Sequence, residues 1–226
     1  MEQLTPFEKK RIARETRARR FIAEKLPVAL APGLPAIKLH LAVPHSGVWQ
    51  LAPDGVPPYW AWCWPGGLAL AVHLRAHPEL VSGRSVFDLG TGSGLVAIAA
   101  AMAGAHETAG CDIDVNGLVA VGLNAALNAV TIKTVLADPL DGPAPMVEVI
   151  LVGDLFYDFA LAQRVIAFLD TCLDAGVEIY IGDIGREHLP EERLRALAAY
   201  PLVDFAEPAT AKPRLAQVWR YIGASG

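Results

Sequence analysis

Asp88-Leu89-Gly90-Thr91-Gly92-Ser93-Gly94 decides the reading of this chain. A short apolar run, Ser85-Val86-Phe87, precedes it, and an alanine-rich run over 95–103 follows. Strand, glycine turn, helix is the setting in which a glycine-rich motif takes a nucleotide-like cofactor. The spacing narrows the choice. A dinucleotide fingerprint reads G-x-G-x-x-G. Here the glycines stand at 90, 92 and 94, and Leu95 occupies the place of the third dinucleotide glycine. That opposes a nicotinamide oxidoreductase.

A second acid follows at the expected distance. Glu107-Thr108-Ala109-Gly110-Cys111-Asp112-Ile113-Asp114 reads as a short strand ending in carboxylates. They lie about 20 residues past the glycines, where a ribose-binding acid is expected. A carboxylate accepts two hydrogen bonds from a vicinal diol, so Asp112 is the ribose candidate. Asp114 is better placed to cap the helix that follows. An acid followed by G-x-G-x-G resembles the first motif of S-adenosylmethionine-dependent methyltransferases. That cofactor has no pyrophosphate. Gly90, Gly92 and Gly94 let backbone approach its methionine end and ribose, and Asp88 can hold the turn's amides or the cofactor's ammonium.

Composition sets the frame. The chain has 226 residues, 53% hydrophobic and 19% charged, which suits one α/β domain with an extension. No uninterrupted apolar run is long enough to span a membrane, and the N-terminus has no apolar signal core. The three cysteines, Cys63, Cys111 and Cys172, are far apart and form no C-x-x-C pair. They read as reduced thiols of a cytoplasmic protein. The net charge of −5 argues against a broad nucleic-acid surface. Residues 1–25 nevertheless carry eight basic and four acidic side chains. This segment reads as a helix whose second half packs through Phe21, Ile22 and Leu26. Three uses stay open for it: a solvated helix on an acidic body, an arm for an acidic protein substrate, or an arm for nucleic acid or targeting.

The expected domains are a basic helical extension with a proline-rich connector over 1–35 and a methyltransferase-like domain over 36–226. Residues 37–41 alternate like a strand, with 47–51 as a possible partner. Strands are predicted near 85–89, 107–111, 133–136, 147–152, 177–181, 199–206 and 213–221. Helices are predicted near 66–74, 94–103, 114–128, 159–171 and 190–198. Alternation of this kind implies a Rossmann-like α/β fold: a mostly parallel seven-stranded sheet, helices on both faces, and an antiparallel pair at one edge.

Sites in such sheets lie at the carboxyl ends of the strands. The apolar strand over 147–152 runs into Gly153-Asp154-Leu155-Phe156-Tyr157-Asp158. Asp154 can grip an amino group or take its proton, and Tyr157 can orient the nucleophile or shield it. A helix cap and a packing tyrosine are the plainer alternative. The Asn-Pro-Pro-Tyr-type sequence of amide and adenine N-methyltransferases is absent, which points toward an amine. Asp138, at the end of another strand, suits either the adenine edge or a turn cap. Trp60-Ala61-Trp62-Cys63-Trp64-Pro65-Gly66-Gly67 holds three of the five tryptophans. On an extended segment, Trp60, Trp62 and Trp64 would form one platform for adenine or a lysine stem. Trp64 and Gly67, where the next helix begins, are the cofactor candidates of this stretch. His73 and His77 have no third ligand at metal spacing and read as packing or surface residues.

In this order, the tryptophan segment, the glycine turn, Asp112-Ile113-Asp114 with Asn124 and Asn128, and Asp154-Leu155-Phe156-Tyr157 resemble a known family. It is the lysine methyltransferases of the β subunit of electron transfer flavoprotein, within the seven-strand protein methyltransferases marked by an acid-x-x-aromatic motif. The resemblance covers about residues 20–221. It implies transfer from S-adenosylmethionine to lysine ε-amines of a folded protein, with Asp154 and Tyr157 at the substrate lysine. From the net charge and the lack of a spanning apolar run, no nucleic-acid and no membrane partner is expected. Another protein, as for ribosomal-protein methyltransferases, or a small amine remains open as substrate, and so does a non-catalytic binding module.

Overall fold

A computed structural model describes residues 5–52, 55–202 and 214–224. In chain order its elements are α1 (Pro6–Lys25), β1 (Val28–Ala31), β2 (Leu34–His40), α2 (Pro65–Ala76), β3 (Ser85–Leu89), α3 (Leu95–Met102), β4 (Glu107–Asp112), α4 (Val115–Leu127), β5 (Lys133–Leu136), β6 (Val149–Gly153), α5 (Phe159–Asp174), β7 (Glu178–Asp183), β8 (Leu194–Leu202) and β9 (Arg214–Tyr221). Seven of the strands form one sheet in the order β5-β4-β3-β6-β7-β9-β8. β5 to β7 run parallel, and β9 is antiparallel to both its neighbours. This is the expected mixed Rossmann-like sheet with its antiparallel edge. The chain leaves β3 first toward β4 and later toward β6, so the crevice of such a fold opens at the carboxyl end of β3.

β6 shows why the sheet is central. Val149, Ile150, Leu151 and Val152 are all fully buried. Alternate residues face opposite sides of a strand. Ile150 and Val152 accordingly pack with Phe168 and Leu169 of α5, while Val149 and Leu151 pack with Leu70 of α2 and Val96 of α3. Each such side chain contributes about 2 kcal/mol by leaving water. Among the described residues, no helix is long and apolar enough to cross a membrane.

The N-terminal helix is anchored where expected. Ala18, Ile22 and Leu26 are buried against Trp60, Val119 and Ala120, whereas Ile12 is exposed. A capping box of Thr5 and Glu8 starts it. Its basic residues do not all face water: Arg14 pairs with Asp114 at 2.8 Å, and Arg17 donates to the Gln50 carbonyl at 3.1 Å.

Several expectations need correction. Residues 27–35 are no mere connector, because β1 pairs with β2 through the turn Ala31-Pro32-Gly33-Leu34. Gly33 takes φ +72°, and proline followed by a left-handed glycine suits the centre of a tight turn. The prolines flanking this stretch concealed a hairpin. Residues 48–51, the expected partner strand, form a 3-10 turn instead. The expected boundary between residues 35 and 36 falls inside β2. The helix expected over 190–198 is one 3-10 turn, Glu191–Arg193, followed by β8. Leu-Arg-Ala-Leu-Ala-Ala favours a helix locally, but pairing with β9 along the sheet edge overrides that preference. The parts of the last two expected strands at 203–206 and 213 lie outside the described residues.

The start of α2 crosses the carboxyl ends of β6 and β7 with no side chain between. A Cβ on Gly182 would collide with the Gly66 carbonyl, and one on Gly153 would come within 2.9 Å of Gly67 Cα. Gly182→Ala should therefore destabilise the fold by roughly 2–3 kcal/mol through overpacking. Gly122 of α4 has nothing within 4 Å of a Cβ, so Gly122→Ala should stabilise by up to about 1 kcal/mol. Urea unfolding midpoints measure both. Equal midpoints for the two variants would refute this account of the contact.

Candidate active site

A cleft enclosing about 440 Å³ opens at the carboxyl ends of β3, β4, β5 and β6. Gly90, Gly92, Asp112, Asp138, Asp154, Tyr157 and Trp64 all line it, so residues far apart in sequence converge here. Asp88 and Gly67 line an adjoining recess with Trp64, Gly90, Gly92 and Asp154. Gly94 lines neither. It takes φ +82° at the start of α3, and a Cβ there would press on Val121 at 3.2 Å. Its role in this structure is packing.

Two buried acids shape the glycine turn. Asp88 Oδ2 accepts the Thr91 hydroxyl at 2.6 Å and the Ala97 amide at 3.1 Å. Burial pushes its carboxyl up to about 7, against the pull of those donors. Asp112 Oδ2 accepts the Gly92 amide at 2.9 Å, and its Oδ1 accepts the Asp114 amide at 2.9 Å. Burial raises its pKa as well. Asp112 thus ties β4 to the turn while its carboxylate borders the cleft. Beside it Ile113 stands 75% exposed, an apolar face against which a flat ring can lie. Sequence reading passed over Ile113. Its signal was an isoleucine between two acids that both point elsewhere.

Asp114 caps α4, accepting the Asn116 amide at 2.9 Å. It also accepts Arg14 at 2.8 Å and the Trp60 indole at 3.1 Å. Asn124, fully buried, accepts the His40 amide and donates to the Ser93 carbonyl, both at 2.8 Å. Asn128 brackets Lys38 in the same way. These two asparagines hang the β1–β2 hairpin on α4 beside the glycine turn.

The tryptophans do not form a single platform. Residues 59–61 make a 3-10 turn, which buries Trp60 and leaves Trp62 and Trp64 edge to face at 6.4 Å. Trp64 instead belongs to an aromatic wall. Its ring lies 5.8 Å from Tyr59, and Tyr59 lies 5.6 Å from Tyr157. Tyr157 is half-exposed at the mouth of the cleft.

Asp154 sits inside that wall. It is 6% exposed and takes φ +57°, a left-handed backbone that few non-glycine residues adopt and that clusters at functional sites. Its Oδ2 accepts the Gly67 amide at 2.8 Å. Trp64, the residue preceding α2, offers no side-chain cap, so Asp154 caps this helix from across the sheet. The Gly67 amide is therefore engaged and does not face the cleft freely. Asp154 Oδ1 accepts Arg186 Nη2 at 2.9 Å and Nε at 3.2 Å. Burial pushes Asp154 up to about 6; Arg186 pulls the other way and Asp183 adds to the rise. Arg186 was not legible as a site residue, because a lone arginine after the fifth parallel strand matches no motif.

Asp138 takes the turn-cap alternative and also reaches the cleft. Its Oδ1 accepts the Leu140 amide at 3.2 Å as a turn cap, and the residue borders the cleft, held by Arg164 at 3.0 Å. His73 packs on His77 at 4.4 Å and bonds Tyr200 at 2.9 Å, away from the cleft. The three thiols are buried, with Cys63 pushed up to about 12.

The fold and cleft define a class I S-adenosylmethionine-dependent methyltransferase. The sequence profile of the ribosomal protein L11 methyltransferase (PrmA) family matches residues 73–169. Solved structures share the fold. A T. thermophilus 16S rRNA N2 G1207 methyltransferase aligns with TM-score 0.56, 19% identity, 88% of this chain and 50% of its own. A Lactobacillus delbrueckii ribosomal protein L11 methylase aligns with TM-score 0.50, 22% identity, 68% of this chain and 77% of its own. Sequence relatives narrow the class. The chain is 36% identical over 211 residues to the electron transfer flavoprotein β subunit lysine methyltransferase of Danio rerio, covering 89% of this chain and 82% of the relative. It is 33% identical to that of Homo sapiens, covering 89% and 80%. The chain belongs to the electron transfer flavoprotein β subunit lysine methyltransferase family. It is an S-adenosylmethionine-dependent protein-lysine methyltransferase.

The cleft fits that cofactor. At Gly92, φ +52°, a Cβ would make only ordinary contacts, the nearest to Trp60 Cα at 3.8 Å, so a longer side chain there would run into the cleft that Gly92 lines. Gly92→Arg should fill it and abolish S-adenosylhomocysteine binding in calorimetry. The variant should stay folded, since the left-handed backbone costs only about 1–2 kcal/mol. Asp112→Ala should weaken binding about tenfold or more. Unchanged affinity in both would displace the cofactor site from this turn.

Proposed function

We propose that this enzyme methylates lysines of the β subunit of electron transfer flavoprotein, with Asp154 and Tyr157 at the acceptor amine. Trp64, Asp88, Gly90, Gly92, Asp112 and Asp138 are the proposed cofactor contacts, with Gly67 and Gly94 shaping the backbone around them. The observation that carries this reading is a buried carboxylate walled by Tyr59, Trp64 and Tyr157 at the mouth of the cleft. An aliphatic lysine stem suits the aromatic walls, and its charged end suits the acid. The geometry supports Gly92 and Asp112 as cofactor contacts directly. Gly94 and Gly67 act through the shape of the turn and of α2. Substrate choice follows the family's named members. The buried, unpaired cysteines fit a cytoplasmic setting.

When bound, S-adenosylmethionine supplies an electrophilic methyl carbon on a good leaving group. The chain's own residues have then to position an amine and keep water away. Tyr59 and Tyr157 narrow the entrance. A lysine arrives protonated and must lose its proton before attack. The aromatic walls lower its pKa by desolvation, whereas the Asp154 carboxylate raises it. Asp154 is thus assigned to holding and aligning the amine, and Tyr157 to shielding and orienting it.

Docking supplies the rest. Binding energy remote from the ε-amine sets the geometry of attack. The folded β subunit should be methylated efficiently, and a short peptide bearing the same lysine poorly. Mass spectrometry on both, beside unrelated lysine-rich proteins and small amines, decides this. Labelled small amines with an unmodified β subunit would favour a small-molecule enzyme.

The acid gives a second test. Asp154 must be ionised, and burial places its carboxyl at about 6. Above that value only the lysine has to lose a proton, so log kcat/KM rises with slope about one; below it both groups do, and the slope steepens toward two. Asp154→Ala should remove most turnover, spare S-adenosylhomocysteine affinity and abolish the steepening. A variant with near-normal turnover would end this assignment.

A further inference from the structure

In the resting protein the Asp154 carboxylate has no free oxygen. Oδ2 is taken by the Gly67 amide, and Oδ1 by both Nη2 and Nε of Arg186. A substrate ammonium arriving at Oδ1 meets a guanidinium already there. Two cations crowded on one buried oxygen repel strongly, because little water screens them. Arg186 therefore has to give way.

The structure contains a place for it to go. Asp183, the last residue of β7, is fully buried. Its Oδ1 accepts the backbone amide of Arg186 at 2.8 Å. Its Oδ2 has no hydrogen-bond partner and lies 4.0 Å from Arg186 Nε. A buried carboxylate oxygen without a donor is costly and calls for an explanation. Arg186 hangs from Asp183 by its own backbone, so its side chain pivots from a fixed base between the two acids. The side chain is 21% exposed, which leaves it room to turn.

We propose that Arg186 is a counter-ion switch: it holds Asp154 while the site waits, and turns to Asp183 Oδ2 when the substrate ε-amine takes its place on Asp154 Oδ1. This rests on the assignment of Asp154 to the substrate lysine and deepens it. Arg186 is a positioning residue, since it acts through Asp154. The charge balance supports the exchange. Waiting, two buried carboxylates share one guanidinium, a deficit of one cation. Loaded, each acid has its own cation. The site is built to accept one more positive charge, and the orphaned oxygen marks the second seat. The other acidic, phenolic and basic groups of the cleft are Tyr59, Tyr157, Asp112, Asp114, Asp138 and Arg164, with Asp88 in the adjoining recess, while α2 brings only its amide. Arg164, the other cation among these, is already held by Asp138 and Asp141.

The test is a double-mutant cycle on the folded protein that the wild type methylates, read as KM for that protein and as its dissociation constant with S-adenosylhomocysteine present. Asp183→Asn keeps an oxygen for the Arg186 amide but removes the anionic seat. Arg186 then stays on Asp154, and KM and the dissociation constant rise about tenfold while S-adenosylhomocysteine affinity holds. At about pH 8 Arg186→Gln lowers KM, because no cation has to leave Asp154 Oδ1 first, and adding Asp183→Asn to it costs nothing more. Without the guanidinium, Asp154 ionises at higher pH, so the steep limb of kcat/KM moves up by about one unit in Arg186→Gln. Equal penalties for Asp183→Asn with and without Arg186 would make Asp183 merely structural and overturn the switch. If Asp183→Asn does not fold, an unmoved limb in Arg186→Gln overturns it alone. Failure of the functional reading looks different: wild type leaves the β subunit unmodified, or Asp154→Ala keeps its turnover.

Discussion

One carboxylate ties the site to the fold. Asp154 follows the buried strand β6, caps a helix whose N-cap residue offers no side-chain cap, and pairs with an arginine from the loop after β7. Without that acceptor the part-buried Gly67 amide at the start of α2 would lose its partner where the helix meets β6 and β7. The glycines at 66, 153 and 182 make the approach possible by leaving no side chain in the way. The left-handed backbone at Asp154 turns its side chain back over the strand ends, where both the helix and the cleft can use it. A substitution there would register in stability and in chemistry together, which is why cofactor affinity, KM and pH profile have to be read separately.

The other acids repeat the pattern. Asp88 and Asp112 spend their hydrogen bonds on the turn that carries Gly90 and Gly92, and Asp114 spends its own on α4, Trp60 and Arg14. The cleft is thus shaped by carboxylates that face inward to backbone amides. Through Asp114, the N-terminal helix reaches the edge of the cofactor cleft by a single ion pair. That contact gives the basic extension a structural use alongside any role in docking.

Much of this was legible in the sequence, for a physical reason. A glycine turn, a capping acid and an apolar strand each act locally, so Asp88, Gly90, Gly92, Asp112, Asp114 and Asp154 could be placed before any coordinates. Two misses were local, the 3-10 turns at 48–51 and 59–61 that read as extended chain, and the others were tertiary. The 194–199 stretch prefers a helix until β9 is there to pair with it. The Pro32-Gly33 turn looks like a linker until β1 and β2 are seen side by side. Arg186 matters only because β6 and β7 are neighbours in the sheet, though 32 residues separate it from Asp154. Of the alternatives for Asp154, the helix cap is seen at Oδ2, on α2, while Oδ1 is held by Arg186, a partner the sequence did not offer.

The site also stands against the fold's own stability. Burial raises Asp88 to about 7 and Asp154 to about 6, from an ordinary 3.8 for both. Over that window the folded chain binds more protons than the unfolded one. Stability from these two groups is therefore fullest at low pH and is lost as pH rises from about 4 to 7. At neutral pH the protein keeps Asp154 charged, and Asp88 in part, at some expense, with Arg186 offsetting part of it at Asp154. A ligand bearing a positive charge relieves that strain on binding. On the proposed assignment the substrate ammonium does so at Asp154. The aromatic walls then work in the opposite sense, since they favour an amine over an ammonium. On that assignment the acid draws the cation in, the walls oppose its charge, and the proton passes to solvent before attack, so no dedicated base is required.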